Sequence, residues 1–113
     1  MDSEVQNILE HMLDDARDTM RFAVEVGSAE AFSGSILHRK AVVLSLLNIG
    51  ELAGRLPVEF TEEHSEIAWR KLAGMSGVCS RACWLLDYDV IWDVVTQSIP
   101  ELVRFLQLRL ESR

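Results

Sequence analysis

The sequence predicts an all-α fold, an antiparallel helical bundle of four long helices with the last kinked or split near Pro100. Three observations carry that prediction. Apolar positions recur every three or four residues over spans much longer than a strand. Capping residues stand ahead of two of those spans, and only two prolines interrupt the 113 residues. The many Ile and Val residues would suit strands, but their spacing follows the helical period, and no alternating segment, internal repeat or low-complexity stretch is present.

The first helix follows Asp2 and Ser3 and carries Val5, Ile8, Leu9, Met12, Leu13, Ala16, Met20 and Ala23 on one face. Glu10, Asp14, Asp15 and Asp18 make an acidic outer face, and Gly27-Ser28 ends the element. After the Ser33-Gly34-Ser35 break, a second helix runs from Ile36 to Leu56 and stops at Pro57. Its apolar arc is too wide for one packed stripe, so it should be central, or face both its own core and another subunit. Thr61 to Glu66 reads as a polar connection. A third helix is expected from about Ser65 to about Cys83, weakened at Gly74 and Gly77 by about 1 kcal/mol each relative to Ala. Asp87 caps the last helix, which carries Val90, Ile91, Val94, Val95, Ile99, Leu102, Val103, Leu106 and Leu110. Pro100 lies inside it.

Eleven Lys and Arg against 18 Asp and Glu leave a net charge of −7. A chain of this length is one domain, residues 1–113, and buries roughly two-thirds of its unfolded surface. The acidity argues against a broad phosphate-tracking surface, so any nucleic-acid site has to be local. Nine of the eleven cations are Arg. No stretch of about 18 apolar residues appears and the start Met1-Asp2-Ser3-Glu4 lacks a basic and apolar leader, so a cytoplasmic location is expected. Cys79 and Cys83, spaced i, i+4, read as reduced, buried thiols. They would supply half a metal site at most, and no other Cys or His stands at a suitable spacing, so no metal or cofactor is expected.

Pattern alone reveals no site. A phosphate-cradling Gly-rich loop, a Ser/His/Asp arrangement of known spacing and an H-E-x-x-H helix are all missing. His11 and His38 read as surface or packed residues within helices, and Asp14-Asp15 and Glu62-Glu63 as solvated faces. Trp69, Trp84 and Trp92 cluster in the second half, as core anchors or as the rim of an interface.

That second half carries a resemblance. Ile67-Ala68-Trp69-Arg70-Lys71-Leu72-Ala73-Gly74-Met75, then Asp87-Tyr88-Asp89-Val90-Ile91-Trp92-Asp93-Val94-Val95 and Ile99-Pro100-Glu101-Leu102, resemble the HepT-like family of the HEPN superfamily. Upstream, Ile49-Gly50-Glu51-Leu52-Ala53 and Leu56-Pro57 resemble the same family's second helix. The resemblance implies an α-helical toxin of a prokaryotic toxin–antitoxin pair. It also implies a homodimer whose partner is a small MNT-type nucleotidyltransferase antitoxin, with RNA as the substrate.

Members of that family cut RNA without a metal through an Arg-x4-His motif, usually extended to His-x-Tyr. A ribose 2′-hydroxyl attacks its own phosphodiester, a histidine moves the proton, and an arginine holds the charge growing on the phosphate oxygens. In members linked to such an antitoxin, the motif tyrosine also receives AMP, which silences the nuclease. Counted on from Met75, the family's arginine falls on Ser76, its asparagine on Gly77, its histidine on Arg81 and its tyrosine on Cys83. A guanidinium cannot act as a general base, a serine hydroxyl cannot neutralise a phosphorane, and a thiol lacks the phenol that accepts AMP. The expectation is a poor nuclease or none. Two origins fit: loss of the motif in a chain retained for binding, or a compensating pair of frameshifts. Read one nucleotide on, a family-like Val-Leu-Ala-His written GTG CTC GCG CAC gives the string Cys79-Ser80-Arg81.

Overall fold

The computed structural model describes residues 2–81 and 86–111, with residues 80 and 81 described by their backbone. Every regular element among them is helical. Helix α1, Ser3–Val26, starts where the Asp2 carboxylate accepts from the Glu4 N–H at 2.7 Å. It ends at Gly27, whose φ of 88° suits a residue without a side chain and whose N–H bonds to the Ala23 carbonyl. The expected stripe from Val5 to Ala16 is buried. It continues into Thr19, whose hydroxyl donates to the Asp15 carbonyl at 2.8 Å.

The connection between the first two long helices is not irregular. Ser28 caps a six-residue helix α2, Ala29–Gly34, which is too short for a period to show in the sequence. Ser35 then caps α3, Ile36–Gly54, by accepting from the His38 N–H at 3.2 Å. Helix α3 is the central element, packed against α1 on one side and against α5 on another. It ends at Gly54 rather than Leu56, and Arg55 and Leu56 form the turn before Pro57.

A short helix, α4, Val58–Glu63, takes in the first half of the Thr61–Glu66 segment read as a polar connection. Helix α5, Trp69–Arg81, begins four residues later than the spacing predicts. The cause is a tight turn at residues 64–67, held by the Trp69 indole N–H donating to the His64 carbonyl at 2.8 Å and by the Trp69 backbone N–H bonded to Ile67 O. Trp69 is buried, and its ring meets Phe60 and Phe105 edge-on at 5.9 and 5.6 Å. This cluster fills the space between α4, α5 and the last helix. Trp84 lies outside the described residues.

The final long element is interrupted as expected. Helix α6, Tyr88–Asp93, is capped by Asp87. It runs into a π-helical turn, Val94–Ser98, and then into α7, Ile99–Glu111. A proline inside an α-helix lacks its N–H and pushes away the carbonyl four residues back. The wider turn just before Pro100 relieves that clash, with the Ile99 N–H reaching back to Val94.

Candidate functional site

Of the three positions counted onto the family's motif, Ser76 and Arg81 lie in the second half of α5. Gly50 on α3 is what brings α5 in. A methyl group added there would stand 2.7 Å from Leu72 O, 2.7 Å from Ser76 N and 2.9 Å from the Ser76 Cβ, so backbone meets backbone at this crossing. Ser76 is therefore pinned half-buried against α3, and its hydroxyl donates back to the Ala73 carbonyl at 3.1 Å. Arg81 is the last residue of α5, and its side chain lies outside what the structure describes. Cys83 lies outside the described residues.

One turn after Ser76, Cys79 is buried and free, and burial pushes its thiol pKa up. The thiolate is the reactive form. In a Cys83→Ser variant, alkylation of Cys79 by iodoacetamide at pH 8 should therefore run at least roughly tenfold slower in the folded protein than in the unfolded chain. Equal rates would show the thiol to be exposed.

Cys79 forms part of the floor of a groove of about 540 Å³ between α3, α5 and α6. Ile36, Val43, Leu44 and Leu47 give it an apolar lining, and Arg39, Lys40 and Tyr88 supply its polar atoms. The Arg39 guanidinium carbon lies 4.9 Å from the centre of the Tyr88 ring, and its buried Nε has no hydrogen-bond partner among the described residues. The groove has cations, a phenol and a thiol, but no histidine and no carboxylate among its lining residues. It can hold an anion or an apolar side chain. It has no group suited to accept a proton from a ribose hydroxyl near neutral pH.

The histidines sit elsewhere. His11 is exposed on α1. His64 packs on Phe60 and Phe105 at 4.6 and 5.4 Å and takes a contact from the Arg109 guanidinium. His38 forms a contact the sequence does not show, with its Nδ1 2.6 Å from the Ser35 hydroxyl and its Nε2 2.7 Å from the Glu25 carboxylate. The Nε2–H tautomer satisfies all three groups, and the serine oxygen is already the cap of α3, so this chain of bonds ties the end of α1 to the start of α3. Ser35 and His38 stand at a capping spacing legible in the sequence. Glu25 comes from another helix and is not.

On α1, burial, together with the neighbouring Asp18 and Asp14, raises the Asp15 pKa, opposed by a hydrogen bond from Asn48. Among the described residues, no group of three or more His, Cys, Asp or Glu could hold a metal ion. No helix among them is long and apolar enough to cross a membrane.

Comparison with known proteins gives a family for the chain. The family model for ribonuclease HepT-like proteins matches residues 5–108. A candidate RNase of Caldanaerobacter subterraneus subsp. tengcongensis is 33% identical over 94 residues, covering 83% of each chain. A ribonuclease HepT candidate of Thermococcus cleftensis is 31% identical over 101 residues, covering 86% of this chain and 92% of that one. A longer protein of Methanocaldococcus jannaschii, described as a gamma-glutamylcyclotransferase and candidate RNase, is 28% identical over 102 residues. That match covers 90% of this chain and 46% of the relative. No solved structure is a significant match. The family model spans the crossing at Gly50, the whole of α5 and the proline-interrupted last element together, and on that extent of match the chain belongs to the HepT-like ribonuclease family.

Proposed function

We propose that this chain is the HepT-like component of a prokaryotic toxin–antitoxin pair, that it acts in the cytoplasm as a homodimer, and that it binds an MNT-type nucleotidyltransferase antitoxin without cutting RNA efficiently. The observation that carries the reading is the set of residues at the motif positions. Ser76, Arg81 and Cys83 stand where the family's arginine, histidine and tyrosine are counted, and they offer no general base. The groove that Cys79 lines on α5 adds Arg39 and Lys40, which could hold a phosphate, but no proton acceptor among its lining residues. The net charge of −7 supports a protein partner over extended contact with RNA. The two-sided apolar surface of α3 supports a dimer.

Expression tests the proposal. The chain as written should not arrest growth. A Ser76→Arg, Arg81→His, Cys83→Tyr variant supplies the family's three motif side chains and should slow growth; a gene for an MNT-type nucleotidyltransferase is expected beside this one, and co-expressing it should relieve the arrest. Arrest by the unaltered chain would contradict the loss of nuclease chemistry. Failure of the antitoxin to co-purify with either form would contradict the partner. Sequencing the locus separates the two origins of the 76–83 segment: clean reads in a stable frame exclude the frameshifts.

A further inference from the structure

Helix α3 turns Val42, Leu46, Ile49 and Ala53 into the core, yet its opposite side is not a solvated face. Lys40, Leu44, Leu47 and Glu51, spaced four, three and four residues apart, fall on one stripe; Lys40, Leu44 and Glu51 are exposed, and Leu47 is half-buried with part of its side chain against the core. Leu44 is 60% exposed. At the start of the helix, Leu37 is 70% exposed. Isolated exposed leucines mean little, but a stripe of them beside an open apolar groove marks a contact surface.

The spacing of the stripe is the same in both directions, with opposite charges at its two ends. About a midpoint between Ser45 and Leu46, Lys40 lies as far to one side as Glu51 to the other, Leu44 matches Leu47, and Leu37 matches Gly54. An antiparallel pairing of two identical helices suits this spacing, because a two-fold axis brings each residue against its mirror position on the other copy. We propose that the occupant of this face is a second copy of the chain. Its α3 packs antiparallel in the register that sets Leu44 on Leu47 and Lys40 beside Glu51 of the other copy.

Charge supports the register. Lys40 and Glu51 of one chain are separated by roughly 16 Å along the helix and cannot pair with each other. Neither takes part in an ion pair among the described residues. Across the two-fold axis they form two reciprocal pairs flanking the leucines. Gly54, where a Cβ would find open space, leaves room for Leu37 of the second copy. The groove along the stripe then takes aliphatic side chains in place of water. An RNA strand fits this stripe poorly, since Lys40 is its one cation and Glu51 and the leucines offer a phosphate nothing.

The assignment rests on the homodimer proposed above, and charge exchange separates the two. By sedimentation velocity the native chain should be a dimer. Lys40→Glu and Glu51→Lys should each weaken it by roughly tenfold or more, because each sets like charges together twice. An equimolar mixture of the two variants should recover a heterodimer with both pairs satisfied, and the Lys40→Glu, Glu51→Lys double variant should recover a homodimer. Circular dichroism confirms that each variant is folded. A native dimer indifferent to both single changes would overturn the register and leave the homodimer standing. A native chain monomeric up to about 0.1 mM would overturn both. A monomer whose α3 face becomes protected only when the nucleotidyltransferase binds would assign the surface to that partner and overturn the proposal.

Discussion

Replacing Phe32 by alanine should destabilise the protein by about 3–5 kcal/mol and lower its melting temperature by roughly 12–20 °C. Phe32 is completely buried and is the only buried side chain of α2. Its ring meets Tyr88 edge-on at 6.0 Å and Trp92 at 5.2 Å with a 32° tilt, so one side chain fastens α2 to α6. Aromatic pairs of this kind add about 0.5–1.5 kcal/mol beyond the area they bury. The alanine variant should also lose amide protection over 29–34 ahead of global unfolding, because nothing else on α2 is buried. A loss below about 1 kcal/mol would mean that α2 is not docked through this ring.

The second large effect is at Gly50. Gly50→Ala should destabilise by about 2–3 kcal/mol, even though alanine is the better helix former by about 1 kcal/mol. The added methyl would meet the Leu72 carbonyl oxygen and the Ser76 amide nitrogen at 2.7 Å, and those are backbone atoms that cannot rotate away. Relief requires α5 to back off α3, which shifts Ser76 and the rest of the motif segment with it. Gly74→Ala is the control, since a methyl there meets nothing within 4 Å in the same fold. It should be neutral or stabilise by up to about 1 kcal/mol. Thermal melts of both variants check the pair. Two losses of equal size would mean that helix propensity and packing do not explain the difference between these glycines.

The long elements were legible because their cores are periodic. The Val5–Ala16 stripe of α1 and the Asp2 and Asp87 caps lie where spacing and residue type put them. The strain at Pro100 was legible too, because a missing N–H has a local consequence. Helices α2 and α4, at six residues each, are shorter than two turns and leave no period to read. The late start of α5 depends on one indole bond to the His64 carbonyl, a tertiary detail invisible in the order of residues. Gly50 did carry a signal, as an isolated glycine within a strongly helical run usually marks close packing. The sequence does not say that its neighbour across the crossing is Ser76. Of the candidate site, Ser76, Arg81 and Cys83 come from counting along the family's motif, whereas the groove with Arg39 stacked on Tyr88 needed three helices brought together.

The loss of nuclease chemistry is the claim on which the rest depends, and cleavage of a labelled RNA by purified protein in the presence of a metal chelator tests it most directly. The native chain should leave the RNA intact over background. The Ser76→Arg, Arg81→His, Cys83→Tyr variant should cleave it at least roughly 100-fold faster, leaving the 2′,3′-cyclic phosphate ends that attack by a ribose hydroxyl produces. Metal-independent cleavage by the native chain at the rate of that variant, with the same cyclic ends, would contradict the account.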